Sequence, residues 1–250
     1  MHTLRLLQNE WIKLVKKPST IVMGSILVVL VATLTVFVAT FDDLAFWEFV
    51  NQASSLYAIV ILFSIIAGGS TVASEFSNGT IKLLLIRPVK RVKILAVKFF
   101  VVVLFGSLLL LILAGATMLA GGLAFGFEPL FINGENQLAD LGETYVLYAV
   151  ELVVYAAMAF TISTVFRSNS LAIGLSIFLM FVGPQLSLFA SRYEWAKYLL
   201  FANANLTQFK EGRVMLDGLT IEFSLAVLAA YLILFAIVSW QVFQRRDVAV

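Results

Sequence analysis

Residues 99–127 read FFVVVLFGSLLLLILAGATMLAGGLAFGF, a run with no charged side chain. At about 1.5 Å of rise per residue, such a run is longer than the roughly 30 Å hydrocarbon core of a bilayer requires. A helix satisfies its own backbone groups where no water is available, so this stretch is expected to span a membrane as a helix. Its excess length calls for tilt or projection beyond the hydrocarbon, and the small residues Ala116, Ala120 and Ala124 suit close packing against another helix.

Five further uncharged or nearly uncharged runs flank it, at 20–41, 49–74, 144–166, 168–191 and 223–244. The first follows Lys16-Lys17-Pro18 and is too long for the apolar region of a cleaved signal peptide, so it reads as an uncleaved span. A tight turn at Arg167-Ser168-Asn169 separates the fourth run from the fifth, and the fifth is expected to break at Gly183-Pro184, where proline removes a backbone donor. The fold class is therefore all-α, a polytopic membrane protein of six transmembrane helices. With no internal repeat and no attached soluble domain, residues 1–250 read as one transmembrane domain.

Basic residues orient it. If both termini lie inside, the inner side holds Arg5, Lys13, Lys16, Lys17, Lys82, Arg87, Lys90, Arg91, Lys93, Lys98, Arg167, Arg245 and Arg246, whereas the outer side holds only Arg192, Lys197, Lys210 and Arg213. The positive-inside rule then places both termini in the cytoplasm.

Composition agrees and removes several chemistries. Hydrophobic residues make up 61% of the chain and charged ones 13%, where a soluble domain carries about 25% charge. The single histidine, His2, cannot build a Ser-His-Asp triad or a multi-histidine metal site. Aspartates occur only at 42, 43, 140, 217 and 247, outside the apolar runs, so no membrane-buried aspartyl dyad is possible. No Gly-Lys pair exists to cradle nucleotide phosphates. The chain is read as no enzyme, with no cofactor of its own and no nucleic-acid partner. The absence of cysteine excludes disulfides but fits either face of a membrane.

Three polar features stand out. Residues 4–17 place Leu4, Leu7, Trp11, Leu14 and Val15 on one helical stripe with Arg5, Asn9, Lys13 and Lys16 opposite, as expected of an interfacial helix that anchors on membrane lipid or levers the first span. Glu151 lies inside the fourth run, where a charge costs a few kcal/mol or more unless paired, wetted or protonated. It reads either as a transport-pathway group or as a water-reached structural acid about two turns from the outer end of its helix. The outer segment 192–220 carries Tyr193, Trp195 and Tyr198, expected interfacial anchors or, alternatively, an exit gate, and Glu222 heads the last span.

The loop between the second and third spans holds the densest signal. Thr80 can cap a short helix in which Ile81, Leu84 and Leu85 form an i, i+3, i+4 apolar edge, Gly79 permits the turn before it, and Pro88 ends it by turning Arg87 out of helical geometry. Alone, this reads equally as a basic connector resting on lipid. Glu75, Asn78-Gly79-Thr80-Ile81-Lys82-Leu83-Leu84-Leu85, Arg87-Pro88-Val89, Arg91, Lys93-Ile94-Leu95 and Lys98-Phe99 together resemble the first cytoplasmic loop of permeases in the ABC transporter type-2 class. The general plan of the chain resembles that class too; Arg87 stands where the family commonly has Lys. The resemblance implies a bacterial plasma-membrane permease whose loop forms a coupling helix, through Glu75, Phe76, Gly79, Thr80, Ile81, Leu84, Leu85 and Arg87, that docks into a separate ATP-binding subunit. It further implies that ATP and Mg are bound by that partner and that a second permease copy completes the pathway. The expected function is export of an apolar or amphipathic substrate such as a peptide antibiotic or a lipid. A proton- or ion-coupled secondary transporter using Glu151 is the alternative.

Overall fold

The computed structural model describes residues 2–42, 44–77, 90–132, 134–216 and 218–245. Ten α-helices occur among them: α1 (His2–Val15), α2 (Pro18–Phe41), α3 (Phe46–Ser54), α4 (Tyr57–Ser77), α5 (Arg91–Phe125), α6 (Gln137–Phe166), α7 (Asn169–Phe189), α8 (Leu200–Ala204), α9 (Thr207–Lys210) and α10 (Ile221–Arg245). Two short strands, β1 (Phe131–Ile132) and β2 (Glu135–Asn136), pair antiparallel in the loop before α6. Six helical segments are long and apolar enough to cross a bilayer: α2, α3 with α4, α5, α6, α7 with the turn after it, and α10. The chain is an all-α polytopic membrane protein.

Small residues decide which helices meet at the centre. A Cβ added at Gly68 of α4 would lie 3.2 Å from the Ala156 carbonyl oxygen of α6, so the two backbones approach closely there. The Ser163 hydroxyl accepts a hydrogen bond from the Ala73 amide across the same pair at 2.9 Å. On α5, a Cβ at Gly106 would sit 2.6 Å from Ser64 Oγ and 2.8 Å from the Leu152 side chain. Helices α4 and α6 thus form the buried axis with α5 against them, while α2, α7 and α10 present most of their apolar surface outward, as lipid-facing helices do.

The bundle has two ends. The basal end collects α1, the feet of α4 and α5, the α6–α7 turn and the end of α10; the apical end collects the α2–α3 loop, the β-hairpin and residues 190–220. Arg167 closes α6 at the basal turn with a left-handed φ of 56°. At the apical end, buried Asn203 donates to the carbonyls of Lys197 and Leu199 and accepts from Ser224 Oγ, each at 2.8 Å. Tyr193, Trp195 and Tyr198 are exposed there.

Several boundaries differ from the sequence expectation. Helix α6 begins at Gln137 rather than 144, because Asn136 caps it: its Oδ1 accepts from the amides of Leu138 and Ala139 at 3.1 and 3.2 Å. Helix α5 begins at Arg91 rather than 99, the charge of Lys98 being absorbed by ion pairs. Of the small-residue step on α5, Ala116 and Ala120 pack against the core. Ala124 is exposed, and at that end Gly121 supplies the close approach, where a Cβ would lie 2.8 Å from the Phe49 ring. The expected break at Gly183-Pro184 does not occur; α7 runs through to Phe189. Proline there removes one bond to the preceding turn, and Gly183 leaves room for the Phe201 ring, whose packing holds the helix in place.

Candidate functional site

The apolar stripe of α1 is set by where it docks. Leu6, Leu7, Trp11 and Leu14 pack against Ile94, Val97 and Val101 of α5, whereas Leu4 and Val15, expected on that stripe, are exposed. The helix therefore rests on protein as well as facing the interface. This rotation turns Glu10, one turn from Leu6, inward to only 6% exposure.

Glu10 meets Lys98 of α5. The Lys98 ammonium lies 2.7 Å from Glu10 Oε2 and 3.0 Å from Glu75 Oε1 on the last turns of α4. Lys13 closes the arrangement, 3.2 Å from Glu10 Oε1 and 3.4 Å from Glu75 Oε1. Among the described residues, two acids and two bases alternate around a ring. The side chains of Lys98, Glu10 and Glu75 are 5%, 7% and 12% exposed, so this is a desolvated network; Lys13, at 53%, is its solvated corner. Burial pulls the Lys13 ammonium down, but the carboxylates of Glu10 and Glu75 outweigh it and hold Lys13 above its ordinary value.

Phe76 anchors the same turn of α4 on its other side. It packs with Val72, Leu95, Phe160 and Phe243, and the Arg167 guanidinium lies 5.0 Å from its ring centre. Arg91 starts α5 by donating to the Gln244 carbonyl of α10 at 3.3 Å. Both flanks of segment 78–89 are thus fixed: the foot of α4 is tied to α1, α5 and the α6–α7 turn, and the start of α5 to α10. Movement imposed on that segment would reach four of the six long helices, through the largely buried ion pairs and ring packing at the foot of α4 and the exposed Arg91–Gln244 bond at the start of α5.

Of the residues expected at this site, Glu75 and Phe76 are brought together with it. Gly79, Thr80, Ile81, Leu84, Leu85 and Arg87 lie outside the described residues. Sequence alone marks none of Glu10, Lys13, Lys98 and Arg167 as site residues. The available signal was an acid on the apolar stripe of an amphipathic helix and a lysine at the head of an apolar run, each anomalous alone and paired only across 88 residues.

Glu151 stands apart, near the middle of α6. It is not the water-reached acid near a helix end that sequence suggested, because α6 starts earlier and Glu151 is buried. Tyr57 of α4 stacks on Tyr148 at 3.7 Å beside it, and Tyr145 meets Tyr148 edge-on. Among the described residues Glu151 Oε2 has no hydrogen-bond partner and Glu151 forms no ion pair. Glu151 and the basal ring occupy different levels of the bundle.

Comparison with known proteins adds family rather than activity. A family model described as "Protein of unknown function (DUF2705)" matches residues 26–249. An uncharacterized protein, YhcI, of Bacillus subtilis (strain 168) is 40% identical over 216 residues, covering 81% of this chain and 69% of its own length. An uncharacterized membrane protein of the same organism, YdbK, is 31% identical over 217 residues, covering 83% and 85% respectively.

Proposed function

The chain belongs to the DUF2705 family, and from the basal ring described above we propose that it is the permease subunit of an ATP-driven exporter of the ABC type-2 class. In this reading the partner is a separate ATP-binding subunit, a second permease copy completes the pathway, and the cargo is an apolar or amphipathic molecule. The observation that carries it is the Glu10–Lys98–Glu75–Lys13 ring. It stiffens the flanks of the very segment that resembles a coupling loop. A lipid-resting connector gains nothing from rigid flanks, whereas a coupling element requires them, because displacement of a soft joint is dissipated before it reaches the spans.

The reading requires the basal end to be cytoplasmic, where the basic residues concentrate. Single cysteines replacing the exposed residues Lys90 and Ser170 should resist a membrane-impermeant thiol reagent in intact cells, while ones replacing Glu135 and Glu194 should react. The chain has no native cysteine to confuse the result. Labelling of Lys90→Cys from outside would reverse the orientation and remove the coupling argument.

A secondary transporter using Glu151 is favoured by one observation, the unpartnered carboxylate oxygen in the membrane. The two readings divide on Glu151→Gln, which keeps the shape but removes the proton-exchanging group. Under ATP drive, the variant assembled with its ATPase should retain basal hydrolysis, and transport by the parent should survive an uncoupler. Transport that stops with the proton gradient while ATP is plentiful would decide for the ion-coupled mechanism.

A further inference from the structure

An open apolar groove of about 320 Å³ lies near the basal end between α5, α6 and α10, walled by Leu95, Phe99, Ala157, Phe160, Ala236 and Trp240. Its hydroxyls are already satisfied. Ser239 donates to Thr161 Oγ1 at 3.0 Å, and Thr161 bonds the Ala157 carbonyl at 2.8 Å, so the floor offers little to a polar ligand. At about 30 Å³ for a group the size of a water or methylene, the space takes roughly ten such groups. An α-helix, about 10 Å across with its side chains, does not fit.

The rim is of opposite character. Arg91 lies one helical turn from Leu95, towards the basal surface, and is exposed; its bond to Gln244 uses one of the five guanidinium N–H donors. Lys90 and Lys93 beside it are exposed as well. Trp240, partly exposed at the groove mouth, is the residue type that settles where hydrocarbon gives way to headgroups. An apolar groove ending below a cation thus matches one hydrocarbon chain below one anionic headgroup.

We propose that this groove is a binding site for an anionic glycerophospholipid of the basal leaflet, one acyl chain lying along α5, α6 and α10 and its phosphate on Arg91. The site is independent of the exporter reading. It would join α10, otherwise the least buried of the six long helices, to the α5–α6 core.

Native mass spectrometry of the delipidated full chain tests this, with phosphatidylglycerol and phosphatidylcholine of identical chains added as probes. The parent should retain phosphatidylglycerol about fivefold better, the preference expected from one interfacial arginine. Arg91→Gln should bring the two lipids close to parity while keeping both. Ala236→Trp, at an exposed wall position where the larger ring fills the groove without entering the core, should lose both. Undiminished lipid retention by Ala236→Trp, or an unchanged preference in Arg91→Gln, would overturn the proposal. So would a disulfide-linked dimer of Ala236→Cys, which would put a second copy in the groove.

Discussion

Lys98→Met is expected to be the most damaging single substitution at the basal end. It removes the most buried cation from between the carboxylates of Glu10 and Glu75, leaving the half-exposed Lys13 beside both. Breaking a buried ion pair by removing one partner costs about 3–5 kcal/mol, because the remaining charge is stranded. Thermal unfolding of the purified protein should reveal the loss, and limited proteolysis should show α1 released from α5. The triple variant Glu10→Gln, Glu75→Gln, Lys98→Met removes the stranded charges as well and should recover much of the stability, since neutral replacement of a whole buried network is often tolerated. Its ability to transmit ATPase movement should nevertheless stay reduced, because amide contacts hold the three helices less firmly than charge-assisted ones. Full stability of Lys98→Met would show that the ring is wetted and contributes no rigidity.

What sequence reveals about this molecule follows the range over which each signal acts. The six long helices were legible because each is a contiguous apolar run, and the lipid environment leaves a helix as the economical way to satisfy such a backbone. Glu75 was legible because it sits beside the loop whose pattern stands out. Lys98 and Glu10 were not, since each looks like a local exception and the two cancel only after α1 docks on α5. The rotation of α1 was hidden for the same reason: Leu4 and Leu6 are equally apolar, and only the surface of α5 selects between them. Proline at 184 misled because a single missing backbone donor weighs less than the packing of Phe201 on Gly183.

The second large effect concerns Leu84→Asp. If Ile81, Leu84 and Leu85 present one apolar edge to a groove on an ATP-binding partner, the substitution places a carboxylate in a contact from which water is excluded. An unpaired charge buried in that way costs several kcal/mol, and each 1.4 kcal/mol is a factor of ten in affinity. A complex held at micromolar strength would separate, so the ATPase should no longer co-purify with the permease in detergent, and its stimulation should vanish. A connector lying on lipid predicts the opposite, because detergent replaces lipid without loss of any protein contact and the pair would remain joined. Glu75→Gln separates docking from transmission. Its carboxylate lies in the ring on the membrane side of the segment, so the variant should keep the partner bound while ATP hydrolysis becomes less tightly linked to transport. Loss of assembly in Leu84→Asp together with retained assembly but poor coupling in Glu75→Gln is the pattern expected of a docking edge mounted on a rigid foot. Wild-type behaviour of Leu84→Asp in both assays would sink the coupling-helix reading and the exporter proposal with it.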